Sequence, residues 1–321
     1  MRFLTAVACL LAIICSTVAV AAETETSIAD NLRLRDAVSA WTVWAESQAA
    51  REGVPGVSAS VVHRQETLYA GGFGLADPET GRAADADTLY SICSISKLFT
   101  AIGVMQQRDA GALDLDKPLA TYLPWFGDLE DVHGDDEAIT LRRILTHSAG
   151  LPRESDSPYW APDFDFPTRD EVRRVLTEQQ TLYPSGRYFL YSNLGLTLAG
   201  EAVAAVTDST WEDYTHRTIL DPLGMDSTFT SIAAAHATGR LAAGYSARRG
   251  GPDRERLGLF EVEGIAPAAG MASSANDLAR FAKWQLGLYQ NGGGEVLRSA
   301  TLREMPVSYT HLRAHETALR I

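Results

Sequence analysis

A chain of 321 residues with 45% hydrophobic and 21% charged content can bury a sizeable core, as one large domain or two ordinary ones, and is neither disordered nor fibrous. Its formal charge of −13 argues against nucleic acid or an anionic membrane surface as partner, because neither finds a basic stripe to meet.

Met1-Arg2, the apolar run Phe3 to Val20 and the small-residue site Ala19-Val20-Ala21 read as a secretory signal peptide over residues 1–21. The protein is therefore expected to be secreted or periplasmic, with no membrane span after cleavage. A membrane anchor is the alternative, but the run is short for a spanning helix and has no positive flank. Cys9 and Cys15 fall inside this segment, so the mature chain keeps only Cys93 and no internal disulfide is expected. Cys93 itself reads as a packing thiol.

Ser27 or Asp30 can cap a first helix carrying Leu32, Leu34, Val38, Trp41 and Trp44 toward Ala50, stopped by Gly53-Val54-Pro55-Gly56. The period then changes. Val57 to His63 and Thr67 to Phe73 read as a hairpin, and Asp77-Pro78-Glu79-Thr80-Gly81 as a turn. Next comes Tyr90-Ser91-Ile92-Cys93-Ser94-Ile95-Ser96-Lys97, expected to open a helix reaching about Asp109, with Gly111 as its stop. The remainder is helical: a short helix near Ile139 to His147, capping boxes at Thr168/Glu171 and Ser209/Glu212, a helix from Asn193 or Leu194 to Val206, and one opened by Ser274 with Asp277. A hairpin followed by helices suggests a sheet-containing region with a helical region inserted.

Two stretches carry candidate chemistry. On a helix Ser94 and Lys97 share a face, so an amine can reach a hydroxyl one turn below it. A serine must lose its proton as it attacks, and a buried lysine can serve as the acceptor. The chain has only three lysines, Lys97, Lys117 and Lys283, so the pair has few chances to arise by accident. Its bland reading is a capping serine and a solvated lysine, against which stand the apolar neighbours Ile92, Ile95, Leu98 and Phe99. In the second stretch, Tyr188 to Gly195, Tyr191 and Asn193 point the same way if extended. A phenol beside an ammonium can pass a proton, and an amide can orient a substrate carbonyl. An ordinary core tyrosine and a helix-capping asparagine are the competing reading on spacing alone.

Together these segments resemble the serine β-lactamase-related family, the group around class C β-lactamases, penicillin-binding carboxypeptidases, D-aminopeptidases and esterase relatives. The resemblance rests on Thr88 to Pro124, Ile139 to Pro152, Pro184 to Gly200, Ile219 to Met225 and Gly270 to Leu286. It implies an α/β (α+β) fold of the β-lactamase/transpeptidase type, an antiparallel sheet flanked by helices with an inserted helical region. It also implies Ser94 as acylated nucleophile, Lys97 as its proton-accepting neighbour, Tyr191 as partner general base and acid, and Asn193 as a substrate contact. The oxyanion would meet the Ser94 N–H, and His147 is structural. Tyr191-Ser192-Asn193 looks more like the esterase and peptidase relatives than like β-lactamases proper, where alanine is common in the middle.

The expected activity is an exported serine hydrolase acting through an acyl-enzyme on an ester, an amide or a peptidoglycan-type peptide, with no cofactor. The aromatic loop Tyr159 to Phe164 can wall its pocket. The family's third motif, Lys-Thr-Gly or His-x-Gly on a late strand, is absent. Residues 22–306 read as the hydrolase domain with its sheet incomplete, while 307–321 resemble the translation of a transposase-type sequencing adapter. The chain as it stands is thus expected to lack turnover, and a non-catalytic peptidoglycan-binding or inactive product is the alternative reading. His311 and His315 have zinc-like spacing without a third ligand, so no metal is expected.

Overall fold

The computed structural model describes residues 27–129, 132–133, 138–155, 160, 164–247 and 254–306. The expected signal peptide, the run 307–321 with His311 and His315, and Tyr159 with 161–163 of the aromatic loop lie outside the described residues.

Ser27 caps only a single 3-10 turn, Ile28–Asp30. The first helix, α1 (Leu32–Arg51), is capped instead by Asn31, whose side-chain oxygen accepts from the N–H groups of Arg33 and Leu34. No residue of α1 is buried, and its hold on the sheet is aromatic. Trp41 stands edge-on to Tyr69 and Phe73, with ring centroids 5.4 and 6.3 Å apart. The hairpin forms as expected from β1 (Gly56–His63) and β2 (Glu66–Asp77), and pairs Gly56 with Gly74 and His63 with Glu66. β2 continues past Phe73 because a short strand not expected from the sequence, β3 (Arg82–Ala83), pairs with its far end. The order β1-β2-β3 leaves the outer edge of β1 without a partner strand among the described residues.

A second antiparallel pair joins distant parts of the chain. β4 (Leu89–Ser91) lies against β5 (Ala272–Ser274), with Leu89 opposite Ser274 and Ser91 opposite Ala272. Between them in sequence lies the helical region: α2 (Ser96–Asp109), α3 (Leu141–Leu145), α4 (Arg169–Leu176), α5 (Asn193–Thr207), α6 (Trp211–Thr215), α7 (Ile232–Ala237) and α8 (Ala266–Ala269), with α9 (Ala275–Asn291) after β5. The inserted helical region is thus bracketed by strands, as the resemblance implied. Among the described residues no helix is long and apolar enough to cross a membrane.

The capping box of Thr168 and Glu171 is formed in full at α4. The one expected from Ser209 and Glu212 is not: Thr210 caps α6 through the Asp213 N–H, one residue later. Ser209 and Thr210 are both competent caps, and the later start is the one that buries Trp211 and Tyr214. At the centre is α5, buried at every residue from Asn193 to Val203, which is the condition of a helix enclosed on all sides. Helices α2, α6 and α8 pack around it. Its buried carboxylate, Glu201, is bound by both Arg169 and Arg173 of α4. On the sheet side α9 lies along β1, and Gln65 Nε2 donates to the Lys283 carbonyl at 2.8 Å. Phe99 of α2 and Phe281 of α9, with ring centroids 4.9 Å apart, join the two sides of the molecule.

Candidate active site

Ser94 does not sit on the α-helix itself. It lies one turn ahead of α2, in a 3-10 turn over Cys93–Ile95 that Cys93 enters at a φ of 44°, a left-handed value uncommon outside glycine. Several bonds fasten this turn to the chain around α8. The Ile92 N–H donates to the Met271 carbonyl at 2.9 Å, and the Ser96 hydroxyl donates to the Cys93 carbonyl at 2.6 Å while accepting the Met271 N–H at 3.1 Å. The Thr100 hydroxyl donates to the Pro267 carbonyl at 2.6 Å. Ser94 is left exposed, with Ser96 and Lys97 buried behind it. Cys93 is a half-buried free thiol packed against the core.

The i, i+3 spacing survives the change of helix type. Lys97 Nζ donates to Ser94 Oγ at 3.3 Å and to the Ala268 carbonyl at 2.7 Å. From the other side of the sequence, the Tyr191 hydroxyl lies 2.8 Å from Ser94 Oγ. The same amine stands 4.9 Å from the centroid of the Tyr191 ring. One hydroxyl oxygen is therefore met by two groups that can take up or release a proton, from elements that touch only in the folded chain.

His147 supports Tyr191. Their ring centroids are 4.5 Å apart, and His147 Nδ1 accepts the Ser192 N–H at 3.2 Å. Burial, with the Lys97 charge as a smaller cause, lowers the His147 pKa from 6.5 to about 4, so the imidazole is neutral near pH 7. The segment before Tyr191 is laid along the loop that carries His147. The Leu182, Gly186 and Leu190 N–H groups donate to the carbonyls of Gly150, Ser148 and His147 at 2.8, 2.7 and 2.8 Å.

Tyr191 and Asn193 go to different partners. The cap of α5 is Ser192 rather than Asn193: its hydroxyl accepts the Gly195 N–H at 2.8 Å and donates to the Pro152 carbonyl at 2.6 Å. Alanine at this position would lose both bonds, so the middle serine is accounted for by scaffolding. Asn193, 2% exposed, donates from Nδ2 to Glu154 Oε1 at 2.7 Å. Glu154 was missed in the sequence, as was Arg153, whose guanidinium carbon is 5.4 Å from the Tyr191 ring centroid. A charged pair directly after Gly150-Leu151-Pro152 was the available signal. Of the aromatic loop, Trp160 donates from Nε1 to Glu154 at 2.9 Å and packs edge-on against Phe166. Phe164 stacks on Phe260, so both described residues of the loop are engaged in packing. Among the described residues there is no group of three or more His, Cys, Asp or Glu that could hold a metal ion.

A family model described as Beta-lactamase matches residues 42–318. Beta-lactamase-like protein 2 of Dictyostelium discoideum is 28% identical over 259 residues, covering 78% of this chain and 45% of the relative. The human putative beta-lactamase-like 1 is 30% identical over 246 residues, covering 73% and 47%. The chain thus spans about half the length of the curated relatives it matches. Among solved structures, the octameric penicillin-binding protein homologue from Pyrococcus abyssi superposes with a TM-score of 0.70 at 25% identity, over 83% of this chain and 59% of that one. EstCE1, a hydrolase with promiscuous acyltransferase activity, gives 0.70 at 22% identity over 84% and 76%. The D-alanine carboxypeptidase AmpC from Burkholderia cenocepacia gives 0.66 at 23% over 84% and 68%. These last two likenesses are of fold.

Proposed function

Since the chain belongs to the Beta-lactamase family, we propose that it is an exported serine hydrolase that is acylated at Ser94 by an ester, an amide or a peptidoglycan-type peptide. The observation that carries this reading is the convergence of Lys97 Nζ and the Tyr191 hydroxyl on one oxygen, at 3.3 and 2.8 Å. Ser94 Oγ attacks the substrate carbonyl carbon as its proton passes to Lys97 or Tyr191. The carbonyl oxygen becomes an oxyanion and meets the Ser94 N–H in the turn that opens α2. The tetrahedral adduct then collapses: the bond to the leaving oxygen or nitrogen breaks, Tyr191 supplies that atom with a proton, and an ester to Ser94 remains. Water, deprotonated toward Tyr191, attacks the ester, releases the acid and returns the proton to Ser94. Asn193 orients the acyl carbonyl group of the substrate. His147, neutral and bonded to the Ser192 backbone, holds the Tyr191 ring and takes no proton in these steps.

The test is direct. Incubation with a fluorophosphonate and mass spectrometry of the digested protein should find the adduct on the peptide carrying Ser94, and a protein that also carries the family's third motif should release nitrophenol from p-nitrophenyl acetate at a rate that depends on Ser94. A protein that stays unlabelled and inert toward both would support the non-catalytic alternative.

A further inference from the structure

The acylation chemistry leaves one cation beside Tyr191 unused. Arg153 is anchored at the start of α5, where its carbonyl accepts the N–H groups of Asn193 and Leu194 at 2.8 and 3.2 Å. Its Nε faces Glu154 Oε1 at 3.3 Å, the same oxygen that receives Asn193 Nδ2 and Trp160 Nε1. Neither terminal nitrogen of the guanidinium has a hydrogen-bond partner among the described residues, and the side chain is 64% exposed. An arginine held by its backbone and by Nε, with its guanidinium carbon 5.4 Å from the centroid of the phenol ring whose hydroxyl meets Ser94 Oγ, has the geometry for binding a planar anion at two points.

We infer that Arg153 selects substrates whose acyl group carries a carboxylate. The inference rests on the Ser94 reading for the position of the scissile carbonyl. Asn193 and Arg153 bond to one oxygen atom of Glu154, so their polar ends are neighbours; on the proposed reading that Asn193 meets the substrate carbonyl, the group beyond that carbonyl is the one that reaches Arg153. The leaving group belongs at the Tyr191 hydroxyl, which protonates it, whereas the guanidinium faces the Tyr191 ring. Charge supports the choice. Among the described residues, Lys97 and Arg153 lie by the Tyr191 ring, and the Glu154 carboxylate beside them is engaged by three donors. The chain as a whole is strongly acidic, so a local cation of this kind discriminates at contact range rather than drawing anions from afar.

The experiment uses Ser94→Ala protein, which binds without turnover, and calorimetry at pH 7. The probes are glutaranilic acid, with a carboxylate at the far end of its acyl chain, and the matching terminal carboxamide. The acid should bind at least about tenfold more tightly, and the margin should collapse in Ser94→Ala/Arg153→Gln. Equal binding of acid and amide, or a margin that persists without the guanidinium, overturns the proposal. So does tighter binding of 4-acetamidobenzoate, whose carboxylate lies on the amine side of the bond. Because these are binding measurements, a Ser94 that fails to take the fluorophosphonate is seen separately and counts against the hydrolase reading alone.

Discussion

Ser94 Oγ has two proton-carrying neighbours, and the variants that separate their roles differ in what they remove. Ser94→Ala takes away the proposed nucleophile from an exposed turn whose fastening bonds come from Ile92, Ser96 and Thr100. Labelling by fluorophosphonate should vanish while the circular dichroism spectrum and thermal midpoint stay close to wild type. Lys97→Arg keeps a cation but replaces an amine that can be neutral by a group that does not deprotonate in proteins. In a protein that also carries the family's third motif, a loss of about a hundredfold or more in p-nitrophenyl acetate kcat/KM is expected, the scale of a missing proton-transfer partner. Activity near wild type would leave Tyr191, at 2.8 Å, as the sole acceptor. His147 gives a prediction in pH. Its pKa is about 4 in the folded chain against the ordinary 6.5 of a solvated histidine, so between these values the unfolded chain binds more protons and stability falls as pH falls. The contribution is fully present above pH 6.5 and is lost by about pH 4, on the order of 3 kcal/mol. Urea denaturation from pH 7 to 4 should show this decline, and His147→Gln, which keeps an acceptor for the Ser192 N–H, should flatten it.

At the scale of elements, the site depends on two irregular segments held against each other. The loop of His147 to Gly150 and the turn-rich run from Leu182 to Leu190 share three backbone bonds, and Gly150 lies where they press closest. Its φ is 74°, and a Cβ there would come within 2.0 Å of the Tyr183 carbonyl oxygen. Gly150→Ala must therefore push the segment leading to Tyr191 outward or break its bonds, at a cost of about 2 kcal/mol or more. The expected result is a lower thermal midpoint together with, in a protein that also carries the family's third motif, a kcat loss larger than any change in KM, because the phenol moves while substrate contacts elsewhere remain. A drop in stability with kcat intact would mean that Tyr191 is positioned without this loop.

Across the whole molecule, α2 follows directly from the turn that carries Ser94 and α9 lies along the hairpin, so the helical region and the sheet side are joined where these two helices meet. Phe99, fully buried, packs on Phe281 at that junction. Phe99→Ala should cost about 3 to 5 kcal/mol, the usual range for emptying a buried phenylalanine site. If the junction couples the two sides, near-ultraviolet and far-ultraviolet transitions in urea should shift together to lower concentration. Separate transitions would show that the hairpin with α1 and α9 unfolds independently of the helices around α5.

What the sequence determined by itself was local. The Ser94/Lys97 pair follows from a spacing that brings side chains together on either a 3-10 or an α turn, and the box at Thr168 and Glu171 forms because its bonds close within four residues. The hairpin and the family's order of segments were legible for the same reason. Where neighbouring residues offered equal local chemistry, tertiary packing chose: Thr210 over Ser209, Asn31 over Ser27, Ser192 over Asn193. β3 was too short to show a period of its own. The meeting of Tyr191 with Ser94 across 97 residues was expected from the family resemblance and from no spacing in the chain, whereas the hub that Glu154 makes of Arg153, Trp160 and Asn193 and the burial that keeps His147 neutral were decided only by the folded chain. Each depends on distance and dielectric between segments that no spacing along the sequence encodes.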